Sequence, residues 1–145
     1  MAVTHNFTIL CEFIMRGITG SYSFNGTIVN LQVEELPVKR SIGIGLGFNG
    51  EPDSGNMLSI HIYKPDGGLM QKYDLSKVET PYARRSPYQM ENSIVAFMLP
   101  LVCTEEGVYH FVFQEGETIL HDLPFGVFLN PEQKVEGNTD INADD

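Results

Sequence analysis

"SIGIGLGFNG", residues 41–50, places Ile42, Ile44, Leu46 and Phe48 at every second position, with Ser41, Gly43, Gly45 and Gly47 between them. One face of such a segment is apolar and the other is nearly bare backbone, which is the period-2 pattern of a β-strand. The same stretch holds Gly45, Gly47 and Gly50 in the G-x-G-x-x-G spacing of a dinucleotide loop, a motif that works only between a strand and a helix opening directly after it. Here the next residues, "EPDSGN" (51–56), bring a proline, an Asp-Ser-Gly turn and no apolar face to start a helix. The segment is therefore read as a strand whose glycines admit close approach of a neighbouring strand or a large side chain. No cofactor is expected.

The flanking sequence repeats this β signature. Phe7, Ile9, Cys11 and Phe13 alternate with Thr8 and Glu12. A second strand is read near residues 21–25, continuing through Thr27 to Leu31, with Gly26 as a bulge. Leu58, Ile60 and Ile62 alternate before the "PDGG" turn at 65–68, and the return strand runs from Leu69 to Leu75. "SIVAFMLPLVC" (93–103) is continuously apolar and predicts a strand buried on both faces. Val108 to Phe113, the turn "QEGE" and "TILHDLPFGVFL" predict a closing hairpin. Seven to nine closely spaced strands without a helix predict an all-β, antiparallel sandwich or barrel over residues 1–129. Residues 130–145, with five acids against Lys134 and no aromatics, predict a disordered acidic tail.

Composition narrows the function classes. The 145 residues are one domain's worth, and the net charge of -10 disfavours nucleic acid and anionic membrane surfaces. "MAVTHNFTILCEF" lacks a basic n-region and a continuous apolar run, so no signal peptide is read and a cytoplasmic location is expected. Cys11 and Cys103 are then reduced core thiols.

Catalytic sets are absent from the sequence pattern, and no enzyme is expected. His61, His110 and His121 fit solvent faces of neighbouring strands, but they lack metal-ligand spacing, so no metal site is expected. His121 and Asp122 are adjacent, and adjacent strand residues point to opposite faces. The loop "PYARRSPY" (81–88) sets Arg84 and Arg85 among Tyr82 and Tyr88, residue types enriched at binding hot spots, in a chain with nine basic residues. Lys39 and Arg40 form a second basic pair suited to a phosphate-bearing ligand or an acidic partner. The expected function is thus a non-enzymatic module binding a protein through the Arg/Tyr loop. The alternative is a binder of a nucleotide-like anion, with the bare Gly43, Gly45 and Gly47 face as its floor and Lys39 and Arg40 at one end. An exposed strand edge serves equally for a homo-oligomer.

Two resemblances add to this reading. "EEGVYHF" (105–111) resembles the E–F corner of immunoglobulin-like domains, where a tyrosine hydroxyl bonds back to nearby backbone. The resemblance implies an immunoglobulin-like β-sandwich in which Glu105, Gly107 and Tyr109 form a structural corner; Phe111 stands where antibody domains carry a cysteine, and tryptophan is absent. Over most of the chain, "LC" (10–11), "GSYSFNGTIVNL" (20–31), "HIYKPDGG" (61–68) and "EGVYHFVFQEGETILHDLPFGV" (106–127) are similar to a family of bacterial β-sandwich proteins of unknown function. That resemblance implies a fold and a bacterial or mobile-element origin, and no catalytic residues.

Overall fold

A computed structural model describes residues 3–18, 21–53, 55–75, 84–85 and 91–130, with 84–85 and 91–92 described by backbone alone. Among the described residues ten strands are formed: β1 (Thr4–Arg16), β2 (Tyr22–Thr27), β3 (Asn30–Val33), β4 (Val38–Asn49), β5 (Leu58–Tyr63), β6 (Leu69–Asp74), β7 (Arg84–Arg85), β8 (Glu91–Cys103), β9 (Gly107–Glu115) and β10 (Thr118–Leu129). Sheet I has the order β2-β1-β4-β8-β7 and sheet II the order β3-β10-β9-β5-β6. Read along the chain, β1-β4-β8-β7 reproduces the A-B-E-D sheet of an immunoglobulin-like sandwich, and β10-β9-β5-β6 its G-F-C sheet extended by one strand. β2 is added outside β1, and β3 outside β10. The expected all-β sandwich is the observed fold, and the acidic tail beyond Asn130 lies outside the described residues.

Three details differ from the sequence reading. The stretch read as one strand and its continuation divides at Ile28–Val29, so β2 lies in sheet I and β3 in sheet II. β3 also pairs with β10 in parallel, the one departure from antiparallel order among the described pairings. Finally, β8 is buried on one face only. Val95, Leu99, Leu101 and Cys103 point into the core at 1% exposure or less, while Met98 and Val102 on the alternate positions are each 41% exposed. Both faces of β8 are apolar, so no period announced which one would be covered.

The core lies between the sheets. Ile42, Ile44 and Leu46 of β4 meet Ile60, Ile62, Phe111, Phe125 and Val127 of sheet II, all nearly inaccessible. Each such side chain contributes about 1.5–3 kcal/mol of transfer free energy. At the β8–β9 connection the buried Tyr109 hydroxyl donates to the Glu105 carbonyl at 2.8 Å. Gly107, two residues before it, has φ +137°, and a Cβ there would stand 2.7 Å from the ring of Pro65. Tyr109→Phe leaves that carbonyl without its buried donor, and urea unfolding is expected to show a loss of about 1 kcal/mol.

The glycine face of β4 is covered. A Cβ on Gly47 would lie 2.0 Å from the Phe7 ring, one on Gly45 2.3 Å from the Phe24 ring, and one on Gly43 2.8 Å from Cys11 Sγ and 2.9 Å from Ile14. Phe7 and Phe24 meet edge to face, with centroids 6.3 Å apart. Side chains of β1 and β2 thus form a second, smaller apolar layer on the outside of sheet I. The strip is no open floor for a ligand, because missing side chains on β4 are the space these rings occupy.

Candidate functional site

The outer surface of sheet I collects most of the features that the sequence marked separately. Strand alternation places Ile94, Ala96, Met98, Pro100 and Val102 of β8 on the outer face, opposite Gly47, Gly45, Gly43, Ser41 and Lys39 of β4. Gly43 therefore has Met98 on one side and Cys11 on the other, with Ile14 above it. A row of apolar side chains runs along β8 beside the layer made by Phe7, Ile14 and Phe24.

Basic residues stand at both ends of that row. The backbone of Arg84 and Arg85 forms β7 and pairs with Asn92 and Glu91. Lys39 and Arg40 pair with Val102 and Leu101 at the far end. Ten residues of β8 separate Asn92 from Val102, about 33 Å at the usual strand rise. The two basic pairs are therefore too far apart to share one small ligand. Tyr82 and Tyr88, the aromatic half of the Arg/Tyr loop, lie outside the described residues.

The charge is divided between the sheets. Five of the nine basic residues (Arg16, Lys39, Arg40, Arg84, Arg85) belong to strands of sheet I, against two of the nineteen acids (Glu12, Glu91). Strands of sheet II carry Lys72 against Asp74, Glu115 and Asp122. An acidic chain has thus gathered its cations onto the sheet whose outer face is apolar. That arrangement was not legible beforehand, since sheet membership depends on pairings between distant segments.

Arg40 also lines a cleft of about 430 Å³ with Glu12, Ile28, Leu31 and Ile42, where the chain crosses from sheet I to sheet II. The Glu12 carboxylate shares this cleft and repels an added anion, which weakens it as a nucleotide-type site.

The remaining reactive groups are paired or quenched. Cys11 and Cys103 are free and buried. Burial pushes both thiols upward, away from the thiolate that a nucleophile requires. His61 and His110 lie on the outer face of sheet II, whereas His121 turns inward between the sheets. His61 lies 3.2 Å from both Ser59 Oγ and Tyr63 Oη, and burial lowers its affinity for a proton. His110 Nδ1 meets Asp122 Oδ1 at 2.7 Å, so the aspartate beside His121 serves a different histidine on the opposite face. Among the described residues no three His, Cys, Asp or Glu side chains are grouped as a metal requires.

No protein-family model matches the chain, and no curated protein matches it in sequence. A solved structure similar to it is the crystal structure of an immunoglobulin-like protein from Pseudomonas aeruginosa, with 13% identity over 88% of this chain and 97% of that one and a TM-score of 0.43.

Proposed function

We propose that this domain is a non-enzymatic protein-interaction module that receives an acidic partner on the outer face of sheet I. The carrying observation is the coincidence of the apolar β8 row with the segregated basic residues at its two ends. Apolar contact supplies the affinity, while Lys39 and the Arg84–Arg85 pair steer an acidic surface and fix its register. A second copy docking by the same face in twofold symmetry sets Lys39 against Arg84 and Arg85, which like charge disfavours. A cytoplasmic setting is part of the proposal, because it keeps Cys11 and Cys103 as thiols. The anion-binding alternative is weaker, since Phe7 and Phe24 fill the glycine strip and Glu12 stands beside Arg40.

The test is site-specific photo-crosslinking in the native host, with the reactive group at Met98 on sheet I or at Val108 on the exposed face of sheet II. An acidic protein joined at Met98, and lost on Arg84→Glu with Arg85→Glu in a folded variant, is the expected result. Adducts confined to Val108, or an adduct at Met98 indifferent to charge reversal, would overturn the proposal. A Met98 adduct to the same chain would replace the acidic partner by a homodimer.

A further inference from the structure

At one end of the core, away from the sheet I face, β1 and β10 lie opposite one another across the sandwich. His5 of β1 pairs with Phe48 of β4, and His121 of β10 pairs with Phe113 of β9, so both imidazoles point between the sheets. The two rings are stacked, with centroids 4.1 Å apart and planes 11° from parallel. Thr8 Oγ1 lies 2.7 Å from His5 Nε2 and 3.2 Å from His121 Nδ1. Phe48 and Phe113, 5.8 Å apart, close the apolar side.

We propose that His5, Thr8 and His121 form a latch that holds the two sheets together at this end and is released by acid. The argument is one of proton counting. The Thr8 hydroxyl has one hydrogen, and each neutral imidazole has one donor and one acceptor nitrogen. With both rings neutral, the hydroxyl donates to one facing nitrogen and accepts from the other, and the chain is complete. A single added proton leaves the stack carrying one charge. When both rings are protonated, both facing nitrogens bear hydrogen, the hydroxyl proton loses its acceptor, and two cations lie face to face.

Among the described residues the Phe7 backbone, hydrogen-bonded to the His5 ring, favours the charged form, but it does not outweigh burial. At this end β1 contributes Thr4 and Asn6, and β4 contributes Phe48 and Asn49, none of them ionisable. On β9, the Glu115 carboxylate accepts from the Asp53 backbone N–H at 2.8 Å and the Asn56 amide at 3.1 Å. On β10, Asp122 is held by His110 on the outer face. Glu117 lies in the turn between β9 and β10 and is exposed. Burial and, secondly, the nearby His121 hold His5 below the ordinary histidine range. A folded-state value below the unfolded one means that the unfolded chain binds the proton more readily. The latch therefore contributes fully above the unfolded histidine value, near 6.5, and its contribution is lost as pH falls through the lower folded value.

The experiment is a histidine NMR titration of the full chain from about pH 7.5 to about pH 5, with amide exchange measured over the same range and corrected for intrinsic rates. The expected result is a His5 transition below the ordinary histidine range. Amides of residues 4–8 and 119–123 should gain about tenfold in corrected exchange at the acid end, while Phe111 does not. His121→Gln keeps a hydrogen-bonding side chain and removes the second charge, so His5 should move part of the way toward the ordinary midpoint and the local acid response should shrink, with burial still holding the rest. Titration of His5 at the free histidine value, or acid-induced exchange spread evenly over the core, would refute the latch. Because the wild-type chain carries the first readout, a variant that fails to fold does not rescue the idea.

Discussion

Gly47→Val should unfold at markedly lower urea than the wild type, with a loss of about 3 kcal/mol, the upper end of what overpacking costs in a filled site. A Cβ at Gly47 enters the Phe7 ring at 2.0 Å, and valine adds two further methyl groups to it. Phe7 stands directly opposite Gly47 in the β1–β4 ladder, so the ring has no path along the strand that keeps the pairing. The diagnostic is rescue. Phe7→Ala alone is expected to destabilise by exposing the glycine strip, yet Phe7→Ala with Gly47→Val should be less damaging than the sum of the two by about 1 kcal/mol or more. Additive losses would mean that the ring and the glycine do not share one space. Should Gly47→Val leave stability unchanged, the glycine face is open and the ligand-floor reading returns.

The sequence carried this strand well, because an apolar face opposite a glycine face has a period of two and no other regular element does. The same holds for the hairpins closed at 65–68 and 116–117, where turn residues separate runs of alternating or β-branched character. What lies over the glycines was not legible. Phe7 and Phe24 are 40 and 21 positions from the glycines whose space they fill, and only the register of β1 on β4 and β2 brings them there.

β8 shows the opposite limit. Its outer residues Ile94, Ala96, Met98, Pro100 and Val102 are as apolar as its inner ones, so the pattern implied cover on both faces where the structure has it on one. That mismatch is the feature on which the proposed docking face rests: hydrophobic residues remain where burial does not explain them. Arg84–Arg85 and Lys39–Arg40 were visible as basic pairs, but their placement at opposite ends of β8 follows from pairing alone. The inward turn of His121 follows the alternation of Leu123, Phe125 and Val127, whose register with β9 runs unbroken from His121 to Val127, so the solvent-face reading overlooked a period already present in the sequence.

Phe125→Ala should have the largest effect of any single change in the core, about 3–5 kcal/mol. Phe125 is fully buried, and its ring meets Phe111 edge to face at 5.9 Å and 87°. The two come from neighbouring strands of sheet II, with Leu123 opposite Phe111 and Phe125 opposite Tyr109, so the cavity left by truncation adjoins the buried tyrosine as well. Collapse into that space is opposed by Tyr109, whose hydroxyl is committed to the Glu105 carbonyl. Since domains of this size have a net stability of about 5–15 kcal/mol, the variant should lose a large share of its margin and melt at a clearly lower temperature. Calorimetry on Phe125→Ala and Phe125→Leu separates two contributions: the leucine refills most of the volume and loses chiefly the edge-to-face contact. A double-mutant cycle with Phe111→Leu should then return about 0.5–1.5 kcal/mol for the ring pair itself. A loss below about 1 kcal/mol for Phe125→Ala would contradict its place at the centre of the sandwich.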